Sequence, residues 1–152
     1  KYKGTFVREF SQKDINQIYE MAEALESMAV YLAAQKATKQ DIKQMKEIVT
    51  EMKNAQEKGN VSDWMEADQE FHTMLPLLSK NTLLIEDLTN LYEKISIIRL
   101  RYLNNVGIIP KSTKDHIQAI KAIEDKEAEV AREITQEHWE DIRKRTTDLF
   151  NN

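Results

Sequence analysis

At 152 residues the chain has the size of one domain, and with 41% hydrophobic residues, 32% charged residues, three Gly and two Pro it lacks the turn residues a β architecture needs. A net charge of −4, from 22 basic and 26 acidic side chains, offers no electropositive face for nucleic acid, and no run of 18 apolar residues offers a membrane span. The absence of cysteine excludes disulfides and thiolate metal ligands, and with no signal-peptide pattern it sets the expectation of a cytoplasmic protein.

Residues 1–13 are polar and read as an extended lead-in, and the first residue is Lys1 rather than Met, as in a fragment of a longer protein or a chain with a processed start. Asp14 is the expected N-cap of a first helix, whose apolar positions Ile15, Ile18, Tyr19, Ala22, Leu25, Ala29 and Leu32 recur at helical spacing to about Ala34. Thr38 opens a second helix, with Asp41 three positions on as the partner of a capping box and Ile42, Met45, Ile48, Val49 and Met52 as its stripe. Residues 56–61 connect to a third helix, expected to be capped by Ser62 and to kink or end at Pro76. Ser79-Lys80-Asn81 breaks the pattern, and Asn81 or Thr82 opens a long fourth helix carrying Leu84, Leu88, Leu91, Ile95, Ile98 and Tyr102. Residues 104–110 read as a loop. Ser112 or Thr113 then opens a fifth helix with His116, Ile120 and Ile123, and Asp125 a sixth with Ala128, Ala131, Ile134, His138 and Ile142, reaching about Phe150. No segment alternates convincingly with period two. Six amphipathic helices on short connections predict an all-α antiparallel bundle.

The three histidines of the chain, His72, His116 and His138, each fall on the apolar stripe of their own helix. Asp68 shares that face with His72, one turn away. An unpaired buried carboxylate is costly or is forced neutral, and a divalent cation removes the cost. One Asp and three neutral imidazoles suit zinc, nickel, manganese or iron and leave coordination positions open. A single inward histidine is ordinarily a hydrogen-bonded core residue, so spacing alone leaves both readings open. The patterns of other metal and nucleophile chemistry are missing: no His-Glu-x-x-His, no paired Glu-x-x-His, no Gly-rich phosphate loop and no nucleophile elbow.

The ordered set IYEMAEALESMAVYLAA at 18–34, ATKQDI at 37–42, DQEFH at 68–72, Ser79-Lys80-Asn81, HIQAI at 116–120, DKEAEVA at 125–131 and His138 resembles the FCD domain, the C-terminal effector domain of FadR-type regulators in the GntR superfamily. The resemblance covers nearly all of residues 1–152. It implies a bundle of six or seven helices around a divalent metal, zinc first, with nickel, manganese or iron as alternatives. The ligands would be Asp68, His72, His116 and His138, with a small organic acid on the open positions. It also implies a homodimer whose operator DNA is bound by an N-terminal winged helix-turn-helix domain absent from this chain, and no catalytic residues. One departure is Ala22, which stands where the family commonly has an Arg that can grip an effector carboxylate. Arg99 matches another family Arg and is the expected effector anchor. Trp139, beside His138, is a candidate for the pocket wall or for a dimer seam, and Tyr19 and Tyr102 are candidates for an effector hydrogen bond, although buried Tyr hydroxyls ordinarily find partners within the protein. Trp64, Phe71 and the methionines are expected in the core. The competing readings are a metal-dependent hydrolase or lyase, and a metal-free helical interaction module.

Overall fold

Five of the six described helices begin at a side-chain cap or at a proline, which deals with part of their free N–H groups. The computed structural model describes residues 9–102, 107 and 109–150, with the backbone alone at 102, 149 and 150. Helix α1 (Gln12–Lys36) is capped by Ser11 in a capping box, in which Ser11 Oγ accepts from Asp14 N at 3.1 Å and Asp14 Oδ2 accepts from Ser11 N at 2.9 Å. Asp14 is therefore the reciprocal partner and not the cap itself. The serine three residues earlier has the extended backbone a cap needs. Helix α2 (Lys39–Glu57) carries the expected box, with Thr38 and Asp41 exchanging the same two bonds at 3.1 and 2.9 Å. Thr38→Ala removes one acceptor from a free N–H group and should lower stability by about 1 kcal/mol, read from the midpoint of urea unfolding.

Helix α3 (Val61–Met74) starts one residue before Ser62, because Asn60 takes the cap and accepts from Asp63 N at 3.2 Å. Gly59 at φ +66° makes the turn that delivers Asn60 there. Pro76 ends α3 as expected, inside a 3-10 turn at Leu75–Ser79. Lys80 is left-handed at φ 52°, and Asn81 Oδ1 accepts from Leu84 N at 3.2 Å to open α4 (Thr82–Tyr102). Helix α5 (Pro110–Glu124) begins at the proline and not at Ser112 or Thr113, since the first helical position needs no N–H. Asp125 closes α5, its N–H reaching Lys121 O at 2.9 Å, and does not cap the next helix. Lys126 at φ 65° reverses the chain, and α6 (Ala128–Phe150) starts three residues after Asp125. The lead-in at 1–8, most of the loop at 104–110 and the Tyr102 side chain lie outside the described residues.

Among the described residues there are six α-helices and no strand, the all-α antiparallel bundle expected. Helix α1 is central and packs on α6, α4, α5 and the 3-10 turn, while α2 packs on α3 and α5. Two apolar clusters result. Met45, Met52, Trp64, Phe71 and Ile123 anchor one; Ile15, Tyr19, Leu88, Ile98 and Trp139 anchor the other. Trp64 and Phe71 are core residues as expected, and so are Met45 and Met52. Met21 and Met28, 51% and 45% exposed, are not core gap-fillers, because they face away from the stripe of α1 that meets α6. No described helix is long and apolar enough to cross a membrane.

Candidate metal centre

A buried polar centre sits where the two clusters meet, with Phe71 of one and Tyr92 and Trp139 of the other around it. Helix α3 supplies Asp68 and His72 on successive turns, α5 supplies His116 and α6 supplies His138, all of them buried. One nitrogen from each histidine lies within 4.8 Å of the other two. Asp68 Oδ1 accepts from His116 Nε2 at 3.0 Å, and Asp68 Oδ2 lies 4.0 Å from His72 Nε2. Phe71 stacks on the His116 ring at 3.9 Å between centroids. The four residues singled out in the sequence therefore come together. Arg99 joins them from α4, with Nη2 2.6 Å from Asp68 Oδ2.

That ion pair changes one step of the sequence argument. The buried Asp68 carboxylate does not need a dication to be tolerated, because the Arg99 guanidinium already faces it. Burial alone would raise the Asp68 pKa, but the Arg99 charge, the His116 hydrogen bond and the His72 charge hold it well below the usual carboxylate range. The case for a metal rests instead on the three imidazoles.

Two carboxylates stand behind those rings, and sequence reasoning missed both. Glu26 of α1 accepts from His72 Nδ1 at 2.9 Å and from the Tyr92 hydroxyl of α4. Asp115 of α5 lies 3.4 Å from His138 Nδ1 and accepts from Lys111 Nζ at 2.7 Å. Burial pushes the Glu26 pKa up, yet the His72 charge and the bonds from His72 and Tyr92 bring it below its ordinary value. Burial pushes His72 down, and the Glu26 charge and bond, with the Asp68 charge, carry it above. Burial dominates at His116 and takes it down to about 4, so this ring is neutral at neutral pH and has a lone pair to offer. Burial and the Glu26 charge push Tyr92 well up, so it remains a donor.

A cavity of about 40 Å³ opens beside Asp68, His72, His138 and Arg99, walled by Tyr19 and Trp139. The Tyr19 hydroxyl and Trp139 Nε1 are buried with no partner among the described residues. Thr146 is near enough to ease the upward shift that burial gives Tyr19, and it donates its own proton to Ile142 O at 2.9 Å. Roomier hollows of about 430 and 450 Å³ lie at the surface and contain none of the four central residues, whereas a smaller void of about 10 Å³ lies on the other side of the centre, against Glu26, Asp115, His116 and His138. Trp64 also lines the cavity of about 40 Å³, with Nε1 spent on Thr113 Oγ1 at 2.8 Å.

The donor set fits a divalent ion of borderline softness: three nitrogens from three helices and a carboxylate oxygen in reach, in a buried centre. For His116 Nε2 to serve as a ligand, its bond to Asp68 must open, which also frees Asp68 Oδ1.

An all-helical domain built around a buried histidine and carboxylate centre is the class that fold and site define. The FCD domain family matches residues 17–141. The chain belongs to that family. It is 33% identical over 99 residues to the Nta operon transcriptional regulator of Aminobacter aminovorans, covering 64% of this chain and 46% of that protein. It is 28% identical over 112 residues to the HTH-type transcriptional regulator McbR of Escherichia coli K12, covering 74% and 50% respectively. The chain thus spans about half the length of these curated relatives. Solved structures of E. coli McbR/YncC and Streptococcus agalactiae GntR superpose with TM-scores of 0.82 and 0.78. The first covers 95% of this chain and 72% of that one at 20% identity; the second covers 93% and 63% at 22% identity. At such identities the likeness shows the fold alone.

Proposed function

We propose that the chain is the effector-sensing domain of a GntR-type transcription regulator. It binds a divalent metal, zinc first, and a small organic acid that modulates DNA binding by a separate domain. The observation that carries this reading is the convergence of His72, His116 and His138 from three helices to within 4.8 Å, with Asp68 against two of them. The names of the relatives, both transcriptional regulators and one of HTH type, support the regulatory half.

His72, His116 and His138 offer nitrogens and Asp68 offers an oxygen. Bound there, the ion supplies positive charge and open positions to a carboxylate. Arg99 lies on the cavity wall and can turn part of its fork to the same carboxylate. The unpartnered donors of Tyr19 and Trp139, also on the cavity wall, add two hydrogen bonds and stand in for the Arg that Ala22 does not provide. About 40 Å³ is room for roughly one water, so an acid enters only if side chains of α1, α4 and α6 part. An acid that binds the parted arrangement better than the closed one shifts the balance between them. In a homodimer that shift would respace two helix-turn-helix domains over operator half-sites.

The enzyme reading has less support. Among the described residues lining the cavity, Asp68 is the sole carboxylate, and it is engaged by Arg99 and His116. A metal-bound water would find no second carboxylate there to serve as base.

Elemental analysis of purified protein should give about one divalent ion per chain, and stripping it with a chelator should lower the melting temperature. Calorimetry with small mono- and dicarboxylates should show binding to the metal-loaded form only. Absence of stoichiometric metal, with a melting temperature indifferent to chelator, would establish the metal-free interaction module instead.

A further inference from the structure

Glu26 is 1% exposed, on a stripe of α1 that also presents Ala22, Ala29 and Ala33 to the interior. A charged group in such a place needs a reason. Its Oε2 accepts the Nδ1–H of His72 at 2.9 Å and the hydroxyl of Tyr92, so one oxygen gathers α1, α3 and α4. We propose that Glu26 is the positioning residue that makes His72 a metal ligand, an inference that rests on the metal reading above.

The Glu26 carboxylate selects the tautomer of the His72 ring. A carboxylate facing Nδ1 requires a proton there, because a lone pair opposite it would be repelled. The free lone pair of the neutral ring is then on Nε2, which lies 4.0 Å from Asp68 Oδ2. The ring also faces those of His116 and His138, 4.9 and 5.8 Å away between centroids. The hydrogen bond also fixes the ring plane and passes electron density to Nε2, which makes it a better donor to a cation. His138 has the same arrangement in a looser form. Its Nδ1 is 3.4 Å from Asp115 Oδ2, and that oxygen is shared with Lys111 at 2.7 Å, whose positive charge offsets what the carboxylate can lend. The other partner of Glu26 is an uncharged hydroxyl, so its full charge acts on His72. The two supports are unequal, and Glu26 is the stronger.

Zinc affinity measured by competition with a chromophoric chelator, on the whole chain, tests this. Glu26→Gln keeps the volume and an acceptor for Nδ1–H but removes the charge, and should weaken zinc binding by about 10- to 100-fold. Asp115→Asn should weaken it less. Tyr92→Phe disturbs the same packing and leaves the Glu26–His72 bond in place, so it should bind zinc as tightly as the unaltered protein. In the zinc-loaded protein the Nδ1–H proton of His72 should resonate far downfield, move upfield in Glu26→Gln and stay in place in Tyr92→Phe. The proposal is overturned if Glu26→Gln loses less than about threefold in affinity, or if Tyr92→Phe loses as much as Glu26→Gln. Both of those outcomes leave the metal reading standing. An unaltered protein that takes up no stoichiometric zinc overturns the metal reading and this inference together.

Discussion

His116→Ala should abolish stoichiometric metal binding and carboxylate binding together. His116 is the ring that the surroundings keep neutral, with a pKa taken by burial down to about 4, and it is 3% exposed between Phe71 and Asp68. Its removal deletes one of three converging nitrogens, a larger change than loss of an outer hydrogen-bond partner, which already costs about 10- to 100-fold in affinity. Asp68 also loses its donor at 3.0 Å and keeps Arg99, with His72 at 4.0 Å, so a fall of about 1 to 3 kcal/mol in metal-free stability should accompany the loss. Circular dichroism should still report a helical bundle, because the apolar clusters on both sides are unaltered. His116→Gln, which keeps a polar group near Asp68, separates the two effects: it should recover stability and not the metal. A variant at this position that retained one tightly held ion per chain and normal carboxylate affinity would sink the proposed function.

The helices were legible because burial in a bundle imposes one period on the whole chain. Thr38 with Asp41, Pro76, Asn81 and the α4 stripe from Leu84 to Ile98 all stand where the sequence places them, since each is decided by local chemistry. The boundaries that moved did so for local reasons as well. Ser11 outranks Asp14 because a capping box needs the acidic residue at its third position. Pro110 outranks Ser112 because a proline loses nothing at the first position of a helix. Asp125 reads equally well as the end of one helix or the start of another, and only the left-handed backbone of Lys126 decides between them.

The convergence of Asp68, His72, His116 and His138 was legible from phase, since residues on the inner faces of adjacent helices have little choice but to meet. The ionic partners were not. Glu26 lies in phase with Tyr19, Ala22 and Ala29, and that inward placement was the signal available; among so many exposed glutamates it is easily passed over. Asp115 stands beside His116 in the sequence but serves His138 across the α5–α6 contact, and no spacing within one helix shows that. Arg99 was legible as a residue near the centre, though not as the counter-ion of Asp68. Helical phase gives the direction of a side chain, whereas a partner depends on which rotamer the other helices permit.

Arg99→Met should raise zinc affinity and lower carboxylate affinity in the same molecule. Without metal, Arg99 is the one full cation in contact with Asp68 among the described ion pairs, at 2.6 Å and with only 17% of its side chain exposed. Breaking a buried pair from one side commonly destabilises by about 3 to 5 kcal/mol, and the remaining exposure of Arg99 puts this case at the lower end, about 3 kcal/mol. A loss of that size lowers the melting temperature of the metal-free protein by about 10 °C for a domain of this length. In the zinc-loaded protein Asp68 has a second counter-ion, so the same substitution costs less there, about 1 kcal/mol. The difference between the two losses must appear as tighter zinc binding, and about 2 kcal/mol corresponds to roughly 30-fold. The acid loses its guanidinium fork and binds more weakly, by an amount a charge-assisted pair would supply, about 1.5 to 3 kcal/mol. Calorimetry on the loaded and stripped variant measures both. If zinc affinity is unchanged or falls, Arg99 and the ion do not alternate as partners of Asp68; if carboxylate affinity is unchanged, the effector anchor lies elsewhere on the cavity wall.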